Sequence, residues 1–118
     1  MPRHLYDEEK LLIASMVRGH SIENIVLAGI DGALVEDMDD GGMRSIKFCQ
    51  DGETIFGRQV AEATFIDSDS VPVSLAINLD QNDRLFELDI WKADNSTLRH
   101  FPRPDQITII RRASIQTR

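Results

Sequence analysis

Hydrophobic positions repeat with two different periods along this chain, and the change falls near residue 33. Before it, Leu12/Met16 and Ile13/Val17 are pairs four residues apart, which places them in one apolar stripe of a helix. Asp7 precedes the stripe as an N-cap whose carboxylate can accept from open backbone N–H groups, and Glu8 and Glu9 sit at the positive end of the helix dipole. Tyr6 and Leu11 have the spacing of a hydrophobic staple. Arg18 suits the last turn and Gly19 can stop it. These signals predict a helix over 8–18. Ile22, Ile25 and Val26, behind a capping Ser21, predict a second, short helix ending near Gly29. A strand is the alternative there, because short apolar runs do not separate the two.

From residue 33 onward the period is two. Ala33–Met38 and Met43–Cys49 flank Asp39-Asp40-Gly41-Gly42, a hairpin signal because Asp-Gly tolerates positive φ. A two-residue Asp40-Gly41 loop pairs Val35 with Ile46, Ala33 with Phe48 and Asp37 with Arg44. Gln50-Asp51-Gly52-Glu53 reads as a turn and Gly57 as a break. Strand 59–67 follows, with Ala61, Ala63 and Phe65 inward, small enough for helix 8–18 to lie across them. The rival phase turns Val60, Thr64 and Ile66 inward. Val73, Leu75, Ile77 and Leu79 then alternate with polar or small residues, as do Phe86, Leu88 and Ile90.

A Ser68-Asp69-Ser70 loop sets Phe65 opposite Val73, and an Asn82-Asp83 loop sets Leu79–Phe86, Ile77–Leu88 and Leu75–Ile90 on the inner face. Lys92-Ala93-Asp94-Asn95-Ser96 reads as the start of a loop. Phe101-Pro102-Arg103-Pro104 must be extended, since proline lacks the ladder donor. Gln106–Ile110 reads as a last, edge strand, and Arg111–Arg118 as a fraying basic tail. The expected architecture is a single α+β domain over 1–118. It has an antiparallel sheet of about five or six strands and an N-terminal helix packed on one face.

Charge narrows the partners. Residues 1–98 hold 19 acidic and 8 basic side chains, a balance of −11, while 99–118 hold 1 and 5, a balance of +4. An acidic body repels phosphate backbones, so no nucleic-acid partner is expected. No uninterrupted apolar run is longer than the four residues of Ile25-Val26-Leu27-Ala28, so no membrane partner is expected either. Cys49 is the only cysteine and the N-terminus turns acidic at once, which points to a cytoplasmic setting.

Little catalytic chemistry is written in the chain. His4, His20 and His100 share no metal-like spacing, and Cys49 reads as a buried or half-buried structural thiol. Asp37-x-Asp39-Asp40-Gly41 and Asp67-x-Asp69 begin like oxygen-ligand loops but lack the full order, and turn chemistry accounts for both. The expected metal and cofactor content is none, and any catalytic residue is unknown. One constellation stands out on the polar side of the sheet. The registers put Glu62 and Asp89 on either side of Ala76, about 9–10 Å apart between backbones. Glu87 lies beside Asn78, and Trp91 beside Ser74. Glu62, Glu87, Asp89 and Trp91 therefore form a candidate partner-binding surface, or else the solvated face that antiparallel sheets normally present.

Two stretches carry a resemblance. Asp40-Gly41-Gly42-Met43-Arg44-Ser45-Ile46-Lys47-Phe48 resembles a D-G-G-M-G-S-[LI]-x-F signature, and Phe86-Glu87-Leu88-Asp89-Ile90-Trp91-Lys92 resembles F-E-L-D-x-W-K. Together they look like a family of short bacterial proteins known only as a domain of unknown function. Arg44 stands where that pattern has glycine, and Asn82-Asp83 where it has Asp-Gly. The resemblance implies a small bacterial protein and no particular activity. The expected function is a non-catalytic binding or accessory protein acting through protein–protein contact, with an immunity-like role as a subordinate form. Its partner is another protein, or a second copy of the chain in a homodimer joined through an exposed edge. The alternative is a small carboxylate-dependent enzyme acting on a sugar or phosphoester.

Overall fold

Seven strands and two α-helices account for the regular structure of residues 1–110, the part of the chain that the computed structural model describes. In order they are β1 (Arg3–His4), α1 (Asp7–Val17), α2 (Glu23–Ile30), β2 (Leu34–Asp37), β3 (Ile46–Phe48), β4 (Phe56–Ile66), β5 (Pro72–Asp80), β6 (Leu85–Lys92) and β7 (Thr108–Ile110). Every pairing is antiparallel, in the spatial order β1-β2-β3-β6-β5-β4-β7. The fold is α+β as the periodicity predicts, with seven strands in place of five or six. The addition is β1, whose two residues are too few to show any period.

Both helices lie on the same side of the sheet. Leu12, Ile13, Met16 and Val17 of α1 and Val26 and Ile30 of α2 join one buried core with Ala61, Ala63, Phe65, Leu75, Ile77, Leu88 and Ile90. Helix α1 contacts β4, where Ala61 and Ala63 leave room for it, and α2 contacts β6. The short dimension of the molecule, 22 Å, is that of one sheet and one helical layer. Among the described residues, the other face of the sheet carries no helix.

Helix α1 starts differently from the expectation. Tyr6, not Asp7, is the N-cap, and its N–H donates to the Glu9 carboxylate at 2.8 Å. Glu9 is 1% exposed and also accepts a bidentate pair from Arg3 at 2.9 Å each. Arg3 reaches on to Asp37 at 2.7 Å, so one guanidinium ties β1, the start of α1 and the end of β2 together. Hydrogen bonds from Arg3 hold the Asp37 carboxyl below its usual range. The Tyr6–Leu11 staple does not form: both are exposed, and the Tyr6 ring lies under Arg3 instead. Residues 23–30 are helical, which settles the helix–strand ambiguity.

The β2–β3 hairpin is shifted by two residues from the two-residue-loop register. Val35 pairs with Phe48 and Asp37 with Ile46. The loop is longer because the Asp40 carboxylate accepts from the N–H groups of Met43 and Ser45, both at 3.0 Å. Gly41, Gly42 and Arg44 all take positive φ to wrap around it, Arg44 at 74°, where the resembled pattern has glycine. Arg44 consequently pairs with Glu8 of α1, not with Asp37. A shift of two keeps every residue on its face, so Val35, Ile46 and Phe48 remain buried. Cys49, the next residue in the alternation, is exposed and not half-buried.

The β4–β5 register is the expected one, with Phe65, Ala63 and Ala61 opposite Val73, Leu75 and Ile77. Gly57 is not a break but a member of β4, at a bulge where its α-carbon packs against the Asp80 carbonyl and a Cβ has no room. Leu75–Ile90 and Ile77–Leu88 also hold, but Leu79 pairs with Leu85 and not with Phe86. Asp80, 1% exposed, accepts from the N–H groups of Asn82 and Arg84, from Arg84 Nε and from the Thr54 hydroxyl, which enlarges the turn. Leu85 fills the inner position against Gly29 of α2, and Phe86 turns out to meet Phe56 edge-on at 6.4 Å. Pro104 opens a short 3-10 turn in place of extended chain. The basic tail 111–118 lies outside the described residues.

We expect Glu9→Ala to lower stability by about 2–3 kcal/mol, because it takes the buried bidentate partner from Arg3, leaving it Asp37 alone, and leaves a helix-cap N–H unpaired. Leu11→Ala should stay within about 0.5 kcal/mol. Urea unfolding of both variants checks the pair, and equal losses would restore the staple.

Candidate functional site

Strand alternation and the pairings above bring the four candidate residues onto the uncovered face. Glu62 of β4, Ala76 of β5 and Asp89 of β6 are consecutive partners in one row across the sheet. Thr64, Ser74 and Trp91 form the next row, and Gln59, Asn78, Glu87 and Lys47 another. The core residues of β6, Leu88 and Ile90, point the other way. Trp91 is 50% exposed and is fixed by a 2.9 Å bond from its Nε1 to Asn95 Oδ1. Asp89 is exposed, and Glu62 and Glu87 are half-buried. Glu87 accepts from Asn78 Nδ2 at 3.0 Å, and the buried Asn78 Oδ1 has no hydrogen-bond partner among the described residues. Ser74 and Ala76 leave a low floor between the Trp91–Asp89 side and the Thr64–Glu62 side. The result is a face that sets a hydrogen-bonded, half-exposed indole beside three carboxylates.

The family model of a domain of unknown function, DUF6984, matches residues 2–102, most of the chain. The chain belongs to the DUF6984 family. No curated protein and no solved structure matches it. The DUF6984 match runs from β1 through β6 and its following loop, so it takes in all four candidate residues and stops before the 3-10 turn and β7.

Elsewhere the DUF6984 domain has an open groove of about 290 Å³, lined by Ser15 and Arg18 of α1 with Pro104, Ile107 and Ile109. It holds none of the four candidates. Among the described residues, no three His, Cys, Asp or Glu side chains gather as a metal site, and no helix is long and apolar enough to cross a membrane.

The strongest charge cluster of the DUF6984 domain was not legible in its sequence. Lys92 is not in a loop but ends β6, and it is fully buried. Its Nζ donates to Asp67 at 2.8 Å, Asp69 at 2.7 Å and the Thr97 carbonyl at 3.0 Å. Asp67 also accepts from the N–H groups of Arg99 and Ser68. Burial by itself raises the Asp67 carboxyl, but the bonds from Arg99, Lys92 and Ser68 outweigh it and hold it at about 2. The carboxylates likewise keep Lys92 charged against its burial, raising it above its ordinary value. A lysine at a strand end reads as solvated from sequence. The available signal was its phase: Leu88, Ile90 and Lys92 share one parity, and the first two are inward. With every donor of Nζ engaged, the cluster pins turn 67–70 to the 94–99 segment and is structural.

Because Asp67 is depressed on folding, its contribution is complete above the unfolded carboxyl value of about 4 and is lost as pH falls towards 2. We expect Asp67→Asn to lower stability at pH 7 by about 3 kcal/mol, since Asp69 alone then faces the buried ammonium. Urea midpoints of the variant should fall less steeply than wild type between pH 4 and pH 2. A residual slope from Asp37, Asp80 and Asp94, also depressed, should remain. Parallel slopes would mean that Asp67 does not titrate in that window.

Proposed function

We propose that this DUF6984 chain is a non-catalytic, cytoplasmic binding protein that contacts another protein through the open face of its sheet, with Trp91 at the centre and Asp89, Glu87 and Glu62 around it. The observation that carries this reading is Trp91 itself. A large ring held half-exposed by a side-chain hydrogen bond, on a face that carries no helix among the described residues, is a pre-ordered anchor of the kind that dominates protein contacts. The face is favoured over a sheet edge. The part of β4 that pairs with no second strand among the described residues, 56–60, is interrupted by bulges and carries Arg58, which blunts it for strand addition. A second copy of the chain is one form the partner can take, and blocking an enzyme with this acidic surface, as an immunity protein does, is another. The carboxylate-enzyme alternative finds no support in the geometry. Glu62 and Asp89 stand two strands apart in one row with Ala76 between them, and a working acid–base pair needs its two groups gathered around one substrate in an enclosing site.

Affinity capture from a lysate of the source organism, read by mass spectrometry, tests the face. Trp91→Ala with Asp89→Ala should reduce recovery of a captured protein at least about tenfold, with the unfolding midpoint nearly unchanged. Undiminished recovery would remove this surface from the argument. Light scattering reads the self-association form directly, since a dimer that dissociates in the same variant assigns the face to a second copy.

A further inference from the structure

We propose that this face selects arginine: a guanidinium of the partner lies flat on the Trp91 indole while its edge donates to the Asp89 carboxylate. The proposal rests on the reading of that face as the contact surface and names what it recognises.

Arg3 covers Tyr6 at 3.8 Å, Arg44 covers Phe101 at 4.5 Å, and Lys47 covers Phe86 at 5.5 Å. Trp91 is the ring type that attracts cations most strongly, yet among the described residues no cation lies over it. Its half-exposed ring is already immobilised by Asn95, so little entropy is lost on stacking. Asp89 precedes it by two residues on the same strand and face, about 7 Å along β6. It is exposed and makes no ion pair among the described residues. A planar guanidinium can stack through its face and donate a fork through its edge, and so serves both groups at once. An ammonium has no flat face and no fork. Ser74 and Ala76, across from Trp91 and Asp89, are too small to obstruct it.

A second observation points the same way. One row further along, the half-buried Glu87 carboxylate accepts from one amide among the described residues, Asn78 Nδ2 at 3.0 Å. Among the described residues this face carries Glu87 and Asp89 beside Lys47, while Glu36 pairs with the Met1 ammonium at 3.7 Å. Asp89 and Glu87 are the carboxylate acceptors nearest Trp91 on its strand, so the complementary partner brings donors and positive charge.

Trp91 is the chain's only tryptophan, so its emission reports this site directly. The probe is an acetylated eight-residue Gly/Ser peptide with two arginines, compared with matched peptides carrying two lysines or two citrullines. The arginine peptide should change the emission saturably, at least about threefold tighter than the lysine peptide, and the citrulline peptide should not saturate. By anisotropy of the labelled arginine peptide, Trp91→Ala and Asp89→Asn should each weaken binding about tenfold. Equal responses to arginine and citrulline, undiminished binding in Asp89→Asn, or no saturation below about 10 mM would overturn the proposal. Arg111→Ala with Arg112→Ala should leave the affinity unchanged. A tenfold tightening would assign the site to the chain's own basic tail and overturn the external partner. Loss of protein capture in the Trp91/Asp89 variant beside a failed arginine titration would refute arginine selection alone. Undiminished capture refutes the docking face itself.

Discussion

An ammonium group withdrawn from water is tolerated only where carboxylates and carbonyls surround it, and Lys92 meets that demand with Asp67, Asp69 and the Thr97 carbonyl. The consequence reaches through the sheet. Side chains alternate along β6, so holding Lys92 inward holds Asp89 and Trp91 outward. The same bonds draw the β4–β5 turn against the segment after β6, and the Arg99 N–H to Asp67 bond at 2.8 Å closes the arrangement. Asn95, which orients the Trp91 indole, belongs to that segment. The order of the exposed ring therefore depends on a charge cluster buried on the opposite side of the strand that carries it.

Aspartates play a related part at the other turns. Asp40 gathers two backbone N–H groups and Asp80 gathers two more together with Arg84 and Thr54. A carboxylate that accepts several donors stabilises a wider loop than the two-residue hairpin that Asp-Gly or Asn-Asp suggests. The wider loops require left-handed backbone at Arg44 and Asp83, at 74° and 60°. Both are positions where the resembled pattern carries glycine, the residue that adopts such φ without a steric penalty.

This explains which parts of the fold were legible. The middles of the strands were, because burial of one face forces a period of two: Phe65–Val73, Ala63–Leu75, Leu75–Ile90 and Ile77–Leu88 all follow from it. So did the common face of Glu62, Asp89, Glu87 and Trp91, since those positions are the complement of the buried set. The ends of the hairpins were not legible, because a capping carboxylate decides loop length through hydrogen bonds that no periodicity records. Phe86 was lost for that reason, displaced outward once Asp80 lengthened its turn and Leu85 took the inner place. Glu9 and Lys92 were missed on another ground. Charged residues read as solvated, and only a partner distant in sequence, Arg3 in β1 or Asp67 in the β4–β5 turn, makes their burial favourable.

The acids of this chain thus divide by what they touch. Glu9, Asp40, Asp67 and Asp80 are committed to guanidinium, ammonium or backbone donors within the fold. Asp89 makes no such commitment among the described residues, and Glu87 accepts from one amide only. Carboxylates of the first kind fix loop shape and helix position, so their removal is felt as lost stability. An exposed carboxylate of the second kind, beside an ordered indole, adds negative field to the face while contributing little to holding the chain together. Folding and recognition consequently rest on different residues of the same strands. Lys92 and Trp91, adjacent in sequence and opposite in direction, mark the boundary between them.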